Sequence, residues 1–395
     1  MEAWKRNLYS LWTTEFLAVL GVAFVLPFLP FFIRELGVSD PEDVERWSGF
    51  IYAAPFLATT ISGPVWGWLG DRYGRRLMLL RALLGFAVVS FLMAFAQSPH
   101  QLFLLRLIQG AISGFVSATL AIVSTTTPRE RMGYAMGVLQ TSLTAGTICG
   151  PLIGGFLADQ LGYRNMFFLT AGLGCLATIL VIFLVREDER VGEPGKSPGL
   201  ISNYRFVFTS PTLLLIIATG LIVQLAIMAV QPILSLFVET LWPAVGHLAT
   251  VAGGVFAVTG FSSLIVAPFW GKRGDRSGYR QILFITLLGA GITFAPQGLV
   301  NGVDQLLFLR FLQGLFLGGI LPALYTLTTL NTPEERCGGV LGITRSGLLL
   351  GNAVGPIAGG IVAASFGMRP LFFCTGALLI GTAVAARRMI PGAAR

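Results

Sequence analysis

"GPVWGWLGDRYGRR" occupies residues 63–76, and residues 267–280 read "APFWGKRGDRSGYR". The two stretches lie 204 positions apart, and each is a short basic turn between long apolar runs. The same offset relates "LFLLRLIQG" (102–110) to "LLFLRFLQG" (306–314). One residue later in register, at offset 205, "TPRERMGYAMGVLQTSLTAGTICGPLIGG" (127–155) pairs with "TPEERCGGVLGITRSGLLLGNAVGPIAGG" (332–360), and "GYRNMFFLTAGL" (162–173) with "GMRPLFFCTGAL" (367–378). Self-similarity of this length means one structural unit written twice.

The unit is a membrane unit. The chain has 395 residues, 54% hydrophobic and 12% charged, with a mean hydropathy of +0.76. Soluble proteins carry about 25% charged residues. A bilayer-crossing helix needs about 20 mainly apolar residues. Twelve such runs are present, at 8–33, 48–70, 76–97, 101–126, 133–158, 164–185, 211–238, 248–271, 279–298, 304–331, 337–364 and 369–390. The first run is too long for a secretory leader, and no small-residue cleavage site follows it. The expected fold is an all-α integral membrane protein of two six-helix halves, 1–185 and 211–395. A cytoplasmic linker, 186–210, charged and rich in Pro and Gly, joins them. Equivalent positions six spans apart share one orientation, so the halves relate by a pseudo-two-fold axis along the membrane normal.

Orientation follows from the basic residues. With the N-terminus in the cytoplasm, four of the 27 Lys and Arg fall outside (Arg34, Arg46, Arg164, Arg369) and three within spans (Arg106, Arg310, Arg345). The remaining twenty lie on the cytoplasmic side. Both termini are therefore expected there. The net charge of +8 sits in short loops and forms no continuous stripe, which argues against nucleic acid. Four cysteines and two histidines show no metal-ligand spacing, so no metal, disulfide or cofactor is expected. No Ser/His/Asp or phosphate-loop constellation suggests an enzyme.

Charges inside spans are costly and mark function by default. Glu15 is the one acid clearly within a span, and Asp159 and Glu239 stand at the exterior ends of spans five and seven. A fixed cation favours the ionised form of a nearby carboxylate, and its influence changes if helices move. Glu15 and Arg106, in the same half, are thus proton-coupling candidates; a snorkelling Glu15 and a structural Arg106 are the plainer readings. Offset 204 from Glu15 lands on Thr219, so the second half has no equivalent acid. Arg345 replaces Gln140 of the first half. In the turn between spans two and three, Gly67, Gly74, Asp71, Arg72, Arg75 and Arg76 read as a gating latch whose contacts form in one state only. Asp275 belongs to the weaker second copy. Gly146, Gly150, Pro151, Gly154 and Gly155 place small residues and a helix-perturbing proline on span five, suited to close packing.

These motifs resemble the major facilitator superfamily, and within it the twelve-span drug:H⁺ antiporters. "GWLGDRYGRR" is similar to the superfamily's loop motif. "LFLLRLIQG" resembles the span-four motif, whose arginine, here Arg106, is implicated in proton coupling. "GTICGPLIGG" resembles the span-five motif of exporters, and "LGVAFVLPFLP" (20–30) the span-one motif of drug exporters. "WKRNL", "PFLP" and "QPILSLFVETL" resemble one branch of multidrug efflux proteins. The resemblance implies proton-coupled efflux of amphipathic small molecules by alternating access, in the inner membrane of a cell and as a monomer, with the lipid bilayer and protons as partners. A dedicated carrier for one metabolite, sugar or lysolipid is the alternative. Spans one, four, seven and ten would line the cavity, with Phe24, Phe28, Gln224, Met228, Gln231, Arg310, Phe316, Tyr325 and Arg345 as substrate candidates.

Overall fold

The computed structural model describes residues 3–185, 199–242, 244 and 246–390. Most of the linker, 186–198, lies outside the described residues. The described residues form helices and connecting turns, with no strand among them. α1 (Ala3–Val25) passes through a 3-10 turn at Leu26–Phe28 into α2 (Leu29–Glu35). Pro27 and Pro30 supply no N–H at this step, which explains the change in winding. There follow α3 (Pro41–Tyr73), α4 (Arg75–Met93), α5 (Pro99–Ile112), α6 (Phe115–Thr126), α7 (Met132–Leu161) and α8 (Tyr163–Leu184). The linker contributes α9 (Leu200–Thr209), and the second half α10 (Pro211–Leu241), α11 (Leu248–Ser277), α12 (Tyr279–Phe294), α13 (Val303–Leu330), α14 (Cys337–Phe366) and α15 (Met368–Met389).

Every predicted span falls within this series. Eleven stretches among the described residues are long and apolar enough to cross a membrane. The span expected at 48–70 lies in α3, which has the length, 33 residues. Glu42, Asp43, Glu45 and Arg46 at its start and Arg72 at its end make it the least apolar helix of the set. The fourth span is broken. Ser113 and Gly114, with Gly114 at φ 129°, separate α5 from α6. A φ that positive strains any residue with a Cβ. In the second half Leu317 stands at the Ser113 position, and α13 runs through unbroken.

The duplication extends to individual side chains. Arg164 donates to the carbonyls of Ala94 (2.6 Å) and Ala96 (3.2 Å) and lies over the Phe32 ring. Its repeat partner Arg369 donates to Gly298 (3.1 Å) and Val300 (3.2 Å) and lies over Phe237. The ring pairs Phe32–Phe167 and Phe237–Phe372 have centroids 4.8 and 4.7 Å apart. Trp66 donates to Ala111 O and Trp270 to Leu315 O, both at 2.6 Å.

The chain clusters into two compact units. One holds residues 1–40, 50–193 and 244–257, and the other 41–49, 194–243 and 258–395. The first turns of α3 thus join the unit built mainly from the second half, and the first turns of α11 the unit built mainly from the first. In the first unit α1 packs on α7 and α8, and α4 on α8. In the second, α10 packs on α14 and α15, and α12 on α13 and α15.

Candidate functional site

α1 and α7 meet through two kinds of contact. Toward their N-terminal ends the contacts are polar. Tyr9 and Tyr134 share a hydroxyl–hydroxyl bond of 3.2 Å, and Trp12 Nε1 donates to Thr141 Oγ1 at 2.8 Å. One turn on, Glu15 is wholly buried, and Ser142 Oγ stands 2.9 Å from its Oε2 and 2.6 Å from the carbonyl of Leu139. A hydroxyl both donates and accepts. Ser142 therefore suits an ionised Glu15, by donating to it, and a protonated one, by accepting from it while donating to Leu139. A buried carboxyl that has a partner in both forms can gain and lose a proton without being stranded.

Beyond Ser142 the contact turns to glycine. A Cβ on Gly146 would sit 2.8 Å from Val19 Cγ1, on Gly150 2.3 Å from Ala23 Cβ, and on Gly154 2.9 Å from Phe24 Cα. The opposite side of α7 meets the first turns of α11. A Cβ on Gly155 would lie 2.4 Å from Ala249 O, and one on Gly253 2.0 Å from Pro151 O. The five residues of the span-five motif thus hold two helices at backbone distance. Asp159, one turn further, accepts hydrogen bonds from Ala249 N (3.0 Å), Thr250 N (2.8 Å) and Thr250 Oγ1 (2.6 Å), capping α11 from another helix.

Arg106 is also buried, 4% exposed. Its Nη1 donates to Gln109 Oε1 at 2.8 Å, Gln109 Nε2 donates to Ser90 Oγ at 3.3 Å, and Tyr52 lies within electrostatic reach. The structure therefore gives Arg106 and Glu15 separate polar clusters, one among α3, α4 and α5 and one between α1 and α7. Arg310, 3% exposed, lies over the Phe294 ring, 5.9 Å from its centroid.

The arginines of the loop motif reach carbonyls in the C-terminal halves of neighbouring helices. Arg75 Nη1 donates to Ala121 O (2.8 Å) and Arg76 Nη2 to Ile182 O (2.7 Å). Arg72 lies over the rings of Trp68 and Tyr73. The side chain of Asp71 lies outside the described residues. No Cβ on Gly67 would meet anything within 4 Å, and Gly74 takes φ 96°. In the second copy Tyr279 donates to Asp275 Oδ1 (2.5 Å), and Arg280 reaches Arg387 O, the counterpart of the Arg76 contact.

The substrate candidates divide by burial. Phe24 and Phe28 are buried, Phe24 against Gly154 and Phe28 stacked on Tyr163. Gln224, Met228, Gln231, Phe316 and Tyr325 are half-buried, and Arg345 is exposed. Gln224 donates to Asn352 Oδ1 at 2.9 Å, Phe316 packs against Gly289 and Trp270, and Tyr325 lies within electrostatic reach of Arg345. Among the described residues no group of His, Cys, Asp and Glu is placed to hold a metal ion. Sequence reasoning missed Ser142, Ser90, Gln297 and the capping role of Asp159. Gln109 and Gln313, one turn after each arginine, stood inside the quoted repeats.

The Major Facilitator Superfamily profile matches residues 11–241 and again 225–394, so both halves fit one description. The chain belongs to the major facilitator superfamily. Within the superfamily its relatives include the multidrug resistance proteins MdtG of Proteus mirabilis and Rahnella. The first is 37% identical over 96% of this chain and 94% of its own, and the second 38% over 95% and 92%. Solved superfamily structures share the fold. An inward-facing bacterial homologue of the lysosomal transporter Spinster superposes with a TM-score of 0.81 at 16% identity, covering 99% of this chain and 98% of its own. The human organic anion transporter MFSD10 gives 0.71 at 18% identity over 98% and 100%. The chain is a multi-pass membrane transporter of this superfamily and not an enzyme.

Proposed function

We propose that the protein is a proton-coupled exporter of amphipathic small molecules, a multidrug:H⁺ antiporter working by alternating access. It works as a monomer in the inner membrane, with both termini cytoplasmic. The observation that carries this reading is the buried Glu15–Ser142 pair on the same two helices that the span-five motif locks together. A proton on Glu15 removes a charge from the α1–α7 interface, and its departure restores one. Any difference in how the two orientations of the protein hold that charge biases one against the other. The membrane potential adds about 2.3 kcal/mol per charge per 100 mV to the pH gradient.

Arg106 acts on this equilibrium at a distance, through its own cluster with Gln109, Ser90 and Tyr52. Arg75 and Arg76 bond α4 to α6 and α8 within the first unit, which anchors the loop whose gating contacts form in one orientation only. The half-buried Gln224, Met228, Gln231, Phe316 and Tyr325, with Arg345, supply the mixed polar, aromatic and thioether surface that suits varied substrates. The relatives' naming as multidrug resistance proteins favours this breadth over a carrier for one metabolite, sugar or lysolipid.

The test is transport in proteoliposomes. A chemically diverse set of amphipathic dyes should move against their gradients when a pH difference is imposed, and an uncoupler should stop them. Movement of a single compound class, or movement indifferent to the pH gradient, would contradict the reading.

A further inference from the structure

Arg106 and Arg310 are copies of one residue, yet their surroundings have diverged. Arg106 spends Nη1 on Gln109, which continues the chain to Ser90. At the Ser90 position the second half has Phe294, and at the Met93 position it has Gln297. Gln297 Nε2 donates to Gln313 Oε1 at 2.8 Å and to Thr293 O at 3.0 Å. The amide oxygen that would copy the Arg106 contact is thereby engaged by Gln297. Arg310, 3% exposed, makes no hydrogen bond to any described residue, and its Nε and Nη2 are buried without an acceptor. Beside it Gln313 and Gln297 are wholly buried, with Gln313 Nε2 lacking an acceptor and Gln297 Oε1 lacking a donor.

We propose that Arg310 and Gln313, backed by Gln297, form a binding site for a carboxylate-type oxyanion inside the second unit. The donor count points to an anion. Three buried nitrogens want acceptors, and one buried oxygen wants a donor. The guanidinium edge points the same way. Nε–H and Nη2–H form one edge of the guanidinium, spaced for the two oxygens of a carboxylate. The acids of the second half, Glu239, Asp275, Asp304, Glu334 and Glu335, all stand at helix ends or in turns. A buried cation is kept in a membrane protein when it is paired or functional. The burial of both glutamines limits the guest to a small head group. That group is either the carboxyl end of an amphipathic substrate or a free small carboxylate. Only the first source rests on the exporter reading.

The test uses the full-length protein in detergent, with unfolding temperature as readout. Sodium formate and sodium octanoate are titrated separately against sodium chloride at equal ionic strength. Formate should raise the unfolding temperature saturably in the wild type and at least tenfold less potently in Arg310→Gln, while Arg106→Gln keeps the response. Octanoate acting well below the formate concentration range assigns the site to a substrate's carboxyl group; equal potency assigns it to a free anion. If Arg310→Gln does not fold, Gln313→Leu takes its place, with the same tenfold weakening expected. Lack of a saturable response in the wild type, or an undiminished one in the variant tested, overturns the proposal. No proton gradient is involved, so a failure of proton-coupled export leaves this result standing, and the reverse.

Discussion

Glu15 is an acid on the first helix, buried where a permanently charged carboxylate would cost several kcal/mol without compensation. Ser142 is its adaptable neighbour, and its removal weakens the site without abolishing it. Ser142→Ala should lower gradient-driven efflux several-fold, and Ser142→Thr, which keeps the hydroxyl, should restore most of it in the same vesicle assay. One turn along, the helices touch at backbone distance. Gly150→Val places new carbons where Ala23 already stands, 2.3 Å from the first added atom. Overpacking of this kind costs about 1–3 kcal/mol, to be read as a lowered unfolding temperature in detergent. Glu15 was legible in the sequence as an acid two turns inside an apolar run. Ser142 was not, because a serine in an apolar helix is ordinarily bonded to its own backbone, and only the fold brings it to α1.

At the scale of elements, helix ends carry the polar work. Asp159 caps α11 from α7 with three hydrogen bonds. Its repeat counterpart is Ala364, so the clasp exists on one side of the duplication only. Asp159→Ala should cost about 1 kcal/mol, the usual worth of an N-cap, seen as a modest fall in unfolding temperature. The start of α3 behaves differently. Burial, assisted by Glu42 and opposed by Arg46, raises the Glu45 carboxyl from its ordinary 4.5 to about 7. An acid whose value is raised in the folded state burdens that state when ionised, and the burden grows as pH rises from 4.5 through 7. Glu45→Gln should therefore melt above the wild type at pH 8 and together with it at pH 4. The sequence predicted each long helix, because apolar runs of that length have few other fates in a bilayer. The break between α5 and α6 escaped it. Ser113–Gly114 is an ordinary pair in a membrane helix, and only the fold shows Thr59 and Arg81 taking up the carbonyls of Gly110 and Ser113 on either side of the break.

At the scale of the molecule, duplication explains why there are two buried arginines, and divergence explains why they do not act alike. Arg106 keeps a hydrogen bond from Nη1 through Gln109 to Ser90, whereas Arg310 has lost its copy of that chain. The overall architecture was readable from the repeats alone, since "GDRYGRR" and "GDRSGYR" fix register and orientation together. The expected placing of an acid beside Arg106 was not met by direct contact, because sequence proximity within a half says nothing about which helix faces which. The central claim is that Glu15 exchanges protons for substrate. Its most direct test is dye efflux from proteoliposomes under an imposed pH gradient, comparing the wild type with Glu15→Gln and Arg106→Ala. Loss of gradient-driven efflux in Glu15→Gln by tenfold or more, with a smaller loss in Arg106→Ala, is the expected result. Normal coupling in both variants would contradict the account.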